Sequence, residues 1–128
     1  MAKNIRVLLV DDNKDFIKSA EKFLSTINYI EVVGIAFSGK DALQSISKLS
    51  HDLVLMDLVM PEMDGLEATK LIKALPKAPL VIIMTVHNNP ELLFFAISIG
   101  ADGFITKSEI GTKLVPLIES LFFDKVHS

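Results

Sequence analysis

The chain contains no cysteine, so disulfide frameworks and thiol chemistry are excluded, and nothing in it conflicts with a reducing compartment. It also lacks basic excess: 13 Lys and Arg stand against 16 Asp and Glu, for a net charge of -3 and a pI near 5.5. A nucleic-acid surface needs clustered Lys and Arg, so this domain is not expected to touch DNA or RNA itself. Its first apolar run, Val7 to Val10, is too brief for a signal peptide or a membrane span, which points to a soluble, cytoplasmic protein with no membrane partner. Repeats, linkers and low-complexity tracts are missing as well, so residues 1–128 read as one domain. Half the residues are hydrophobic, which is enough for a substantial core.

What is present is an alternation. Ile5 to Val10 is a mostly apolar run that ends in Asp11-Asp12-Asn13, and Phe16, Ile17, Ala20, Phe23, Leu24 and Ile27 follow at helical spacing. Glu31 to Phe37 is rich in strand formers, and Ser38-Gly39 opens a second helical pattern through Ala42, Leu43, Ile46 and Leu49. Leu53 to Met56 suits a strand buried on both faces, and it delivers Asp57 to its end. Pro61 and Gly65 punctuate the loop before a helix over Leu66 to Leu75. Leu80 to Val86 is the fourth strand and Pro90 to Ile99 its helix. Phe104 to Thr106 is a short fifth strand, and the last helix carries Leu114, Leu117, Ile118 and Leu121. Because proline is costly inside a helix, Pro116 places the start of that helix near Thr112 as N-cap.

Five strand–helix alternations imply an α/β fold, a five-stranded parallel sheet doubly wound with helices on both faces. Asp12, Asp57, Thr85 and Lys107 each fall at or just past the carboxyl end of a different strand, the edge where open α/β sheets bind ligands. Asp11, Asp12 and Asp57 then bring up to three carboxylates into one crevice, where like charges need an offsetting cation. All-oxygen ligands with room for water and phosphate suit Mg2+. Asp57 is a nucleophile of the type used in aspartyl-phosphate chemistry, Lys107 supplies a point charge for a phosphoryl oxygen, and Thr85 a hydroxyl for another. A flavin carrier on the same sheet would want a Ser/Thr/Gly-rich loop where Asp11-Asp12 stands, and an aspartate-nucleophile phosphatase would want D-x-D on one strand.

Over nearly its whole length the chain resembles the receiver domain of two-component response regulators, with a flavodoxin-like sheet. The resemblance rests on V-L-L-V-D-D-N at 7–13, L-M-D-L-V-M-P-E-M-D-G at 55–65, I-M-T at 83–85 and G-A-D-G-F-I-T-K at 100–107. It implies that Asp57 is phosphorylated by a histidine kinase, and that Asp11 or Asp12, Asp57 and the backbone carbonyl of Val59 bind Mg2+. It further implies that Thr85 and Phe104 form a switch pair, Phe104 turning inward as Thr85 moves toward the phosphate. In that light the domain catalyses its own phosphoryl transfer and dephosphorylation but serves mainly as a regulatory switch. E-V-V-G at 31–34 and Ser108 after Lys107 are similar to receivers that precede LuxR-type helix-turn-helix domains, which implies an output in transcription; the alternative is a stand-alone receiver acting by protein–protein contact. Val86 after the switch threonine and Val59 two past the acceptor depart from the family's usual residues, which implies slow dephosphorylation. Ser108 in place of proline leaves the isomer of the Lys107–Ser108 peptide open.

Other positions have plainer readings. His51, His87 and His127 are expected in surface loops or at the terminus, since none is spaced with another ligand. Asn13 reads as a capping or supporting residue. The Pro90–Ile99 helix is more apolar than one buried face requires, so it is either deeply buried or an exposed patch for a partner or a homodimer contact.

Overall fold

The computed structural model describes residues 4–87 and 89–123. The elements in chain order are β1 (Ile5–Val10), α1 (Lys14–Leu24), β2 (Ile30–Ala36), α2 (Gly39–Lys48), β3 (Leu53–Asp57), α3 (Gly65–Lys73), β4 (Leu80–Thr85), α4 (Pro90–Ser98), β5 (Gly103–Thr106) and α5 (Val115–Phe122). All pairings are parallel and the sheet order is β2-β1-β3-β4-β5, so the order reverses at β1 and β3. His127 lies outside the described residues.

Side chains alternate across each strand, and the core is accordingly split in two. Leu9, Leu55, Met84 and Ile105 face α1 and α5, whereas Val10, Val54, Met56 and Ile83 face α2, α3 and α4. Residues of β3 are buried on both faces, as their uninterrupted apolar run requires. At the amino edge, the Asp52 carboxylate accepts the Arg6 N–H at 2.8 Å, its own N–H donates to the Arg6 carbonyl, and its carbonyl accepts from Leu80, so one residue ties β1, β3 and β4 together.

Short polar side chains start four of the helices. Asn13, Ser38, Asp64 and Asn89 accept from Phe16, Asp41, Glu67 and Glu91 N–H groups respectively, each satisfying a donor of the first turn. The start of the last helix differs from expectation. Thr112 is not its N-cap: a 3-10 turn runs over Lys107–Glu109, a π-helical segment over Ile110–Leu114, and only then does α5 begin. Pro116 thus falls in the first turn of the α-helical part, where its missing N–H costs little.

His51 also corrects its reading. It is 8% exposed rather than a surface residue, its ring lies against Gly34, and neither ring nitrogen has a hydrogen-bond partner of good geometry among the described residues. Burial lowers its pKa from the ordinary 6.5, and the Leu49 backbone offsets this only in part. His87 is exposed, as expected.

Candidate functional site

The carboxyl edge of the sheet gathers residues that are remote in sequence. Asp11 follows β1, Asp57 ends β3, and Lys107 follows β5, and all three continue the strand positions that face α1 and α5. One ligand oxygen from each of Asp11, Asp12 and Asp57 lies within 4.8 Å of the others, so the expected acidic cluster forms. Asp11 and Asp57 are buried and Asp12 is exposed. An all-oxygen set that is open to water on the Asp12 side fits a hard divalent cation such as Mg2+.

The Lys107 ammonium binds this cluster together: Nζ stands 2.6 Å from Asp11 Oδ2 and 3.1 Å from Asp57 Oδ1. The other oxygen of Asp11 accepts the Asn13 N–H at 2.9 Å, so Asp11 anchors both the lysine and the turn into α1. Burial, then the charge of Asp11, raises the Asp57 carboxyl from 3.8 to about 6, against the opposing pull of Lys107. For Lys107, burial by itself would lower the pKa, but its contacts with Asp11 and Asp57 more than reverse that and leave it raised. The Asp57 carboxylate is therefore held where its charge is costly, and a bound cation would relieve that cost.

Thr85 ends β4 with its hydroxyl buried, accepting the His87 N–H at 3.1 Å. Phe104 pairs with Ile83 and Thr106 with Thr85, so Phe104 and Thr85 share the sheet face covered by α2, α3 and α4, opposite to the face Asp57 continues. Phe104 is half-buried and lines a groove of about 470 Å3 with Leu93 of α4 and Pro116 and Leu117 of α5. Val59, two residues past Asp57, and Val86, which follows Thr85, expose apolar side chains at 63% and 70%. No cis peptide occurs among the described residues, so Lys107–Ser108 is trans.

Two residues at the site were hidden behind ordinary roles in the sequence. Gly65, read as loop punctuation, approaches Asp57 so closely that a Cβ there would overlap the Asp57 carbonyl and the Leu58 backbone. Phe16, which fits the apolar spacing of α1, has its ring under the Lys107 ammonium, 4.2 Å from Nζ to the centroid. An aromatic residue one turn after an acidic pair was the available signal for the second.

Fold and site together define a doubly wound α/β domain that carries a cation-competent acidic cluster and a paired lysine at its switch edge. The chain belongs to the response regulator receiver domain family, whose model matches residues 7–119. It is 36% identical over 119 residues to the response regulator protein VraR of Staphylococcus saprophyticus, covering 92% of this chain and 56% of that one. To the transcriptional regulatory protein YdfI of Bacillus subtilis it is 38% identical over 102 residues, covering 80% and 47%. The chain thus spans about half the length of these curated relatives. A LuxR-family two-component response regulator from an Aurantimonas species superposes with a TM-score of 0.88 at 29% identity, covering 93% of this chain and 85% of that one. No helix among the described residues is long and apolar enough to cross a membrane.

Proposed function

We propose that this receiver is a phosphorylation-driven switch whose acceptor is Asp57 and whose donor is the phosphohistidine of a histidine kinase. The observation that carries this reading is the Asp57 carboxylate: buried, raised to about 6, and flanked by Asp11 and Lys107. One carboxylate oxygen attacks phosphorus, the P–N bond breaks, and the imidazole leaves with the electron pair. Lys107 then pairs with a phosphoryl oxygen and offsets part of the charge that the group brings into the crevice. Asp11, Asp12, Asp57 and the Val59 carbonyl would hold Mg2+, which supplies charge neutralisation on the phosphoryl oxygens when bound.

Phosphorylation adds roughly -1.5 to -2 charge and new acceptor oxygens. The Thr85 hydroxyl exchanges its contact with the His87 N–H for a phosphoryl oxygen, and Phe104 closes inward behind it. Because a phosphate shifts populations only by its differential affinity, the active conformer exists at low population beforehand. The domain catalyses its own phosphorylation and dephosphorylation, the latter slowly, since Val59 and Val86 offer no polar group to orient attacking water. Its setting is cytoplasmic. The output is transcription, delivered by an effector outside this chain, and this domain makes no nucleic-acid contact of its own.

A second reading is favoured by α4, where Phe94 is 75% exposed beside Phe95 and Ile97. An apolar surface of this kind supports output through direct protein contact, a homodimer included. The test is incubation with a small phosphoryl donor and Mg2+, followed by intact mass and oligomeric state. One phosphoryl adduct that disappears in Asp57→Asn is expected; an adduct retained by Asp57→Asn would overturn the assignment.

A further inference from the structure

We propose that Phe16 is a positioning residue for Lys107, its ring face keeping the ammonium aimed between Asp11 and Asp57. The inference rests on the role given to Asp57 above.

A lysine head is a compact, strongly hydrated charge on a flexible four-carbon stem, so nothing covalent directs it at a carboxylate. Here it is directed from three sides. Asp11 stands at 2.6 Å, Asp57 at 3.1 Å and the Phe16 ring centroid at 4.2 Å, and the side chain is left only 15% exposed. An ammonium has three N–H donors, and two carboxylates with a π face leave little of it to water. A cation over an aromatic face is attracted by the ring quadrupole, and more strongly when it is desolvated. The two carboxylates alone would not set the balance, because Asp11 is the nearer and draws the lysine away from the acceptor. A ring on the remaining side limits how far the head can swing.

Phe16 can serve this way because its own position is fixed. Its N–H donates to the Asn13 side chain at 3.1 Å in the capping turn, and the neighbouring Ile17 N–H donates to the Asn13 carbonyl. The ring also packs against the core layer that contains Leu9 and Leu55, the residues two before Asp11 and Asp57 on their strands. Ring and carboxylates are therefore referenced to the same layer. The other lysine over a ring offers a contrast: Lys14 lies 5.5 Å from the Phe37 centroid with both residues exposed, where such a pair is worth little.

The test compares the initial rate of phosphoryl acceptance from phosphoramidate at saturating Mg2+ in the wild type, Phe16→Leu and Phe16→Tyr. Alongside it, the Cε proton shift of Lys107 is read by NMR, assigned with Lys107→Arg. The expected result is an upfield Lys107 shift in the wild type that is retained in Phe16→Tyr and lost in Phe16→Leu. Phe16→Leu should accept about three- to tenfold more slowly, with Phe16→Tyr rescued to within about twofold. A Phe16→Leu rate equal to the wild type, a Phe16→Tyr rate as slow as Phe16→Leu, or an undisplaced Lys107 shift in the wild type would each overturn it. Should Phe16→Leu fail to fold, the wild-type shift and the Phe16→Tyr rate decide. A wild type that takes no phosphoryl group counts against the Asp57 assignment instead, while the Lys107 shift still reports on the ring contact.

Discussion

Asp11 and Asp57 share one ammonium, with Lys107 Nζ 2.6 Å from the first and 3.1 Å from the second, although the two acids lie 46 positions apart in the chain. Both carboxylates are buried, so the pair concentrates negative charge that one lysine offsets only in part. Most of the expected behaviour follows from that imbalance.

Removing the Asp57 charge should stabilise the metal-free fold. A carboxyl raised from 3.8 to about 6 binds its proton more tightly in the folded state, so its contribution is most favourable below pH 4 and is lost as pH rises through 6. Asp57→Asn is accordingly expected to be about 2 kcal/mol more stable than the wild type at pH 7.5, with the difference shrinking as pH falls from about 6 to about 4. Urea melts across that range check it; a difference that grows on acidification would contradict the assignment.

The two N-terminal acids should separate under mutation. Asp12 is exposed, so Asp12→Ala is expected to weaken the stabilisation by Mg2+ while changing metal-free stability by less than about 0.5 kcal/mol. Asp11→Ala removes the nearest partner of a largely buried ammonium and should cost about 2–4 kcal/mol before any metal is added. Thermal melts with and without Mg2+ distinguish the two.

Gly65→Ala should destabilise by about 2–4 kcal/mol, since a methyl group there meets backbone at Asp57 and Leu58 rather than a yielding side chain. Its φ is not in the left-handed region, so the effect is one of space. A mild cost in a denaturant melt would show that the β3–α3 loop can move aside without strain.

Phosphorylated protein is expected to keep its phosphoryl group for minutes or longer, and Val59→Asn to shorten that lifetime by giving water a polar partner beside the acceptor. Phosphoryl loss followed by intact mass is the measurement. Wild-type decay within seconds would remove the role given to Val59 and Val86.

Phe94→Ala should leave stability within about 0.5 kcal/mol, given its exposure, and should weaken self-association measured by sedimentation. Unchanged association would retire α4 as a contact surface between copies of the chain.

Much of this was legible in the residues alone. β1, β3, β4 and β5 lead into polar side chains, and a sheet with parallel crossovers gathers such ends at one edge, so Asp11, Asp12, Asp57 and Lys107 converge as expected, while Thr85 sits at that edge on the other face of the sheet. The π-helical segment before Pro116 was not legible, because the choice between an α and a π turn is settled by how Ile110 and Leu114 seat in the core rather than by propensity. Nor was the burial of His51, which is set by how the α2–β3 connection packs its ring beside Gly34 of β2 rather than by any local pattern. The apolar excess of α4 fits burial and exposure equally well, since composition does not say which face of a helix finds the sheet; only Ala96 is fully buried there among the residues of that helix.

The tie at Asp52 has a further consequence for Asp57. A strand apolar on both faces does not defend its own alignment, since a slip of one residue exchanges one oily side chain for another and leaves the core filled. Such a slip would nonetheless rotate the terminal carboxylate to the wrong side of the sheet. The three backbone and side-chain bonds at Asp52 act as an index mark against that error, so the aim of the Asp57 carboxylate is set from the opposite end of the strand, about 17 Å away.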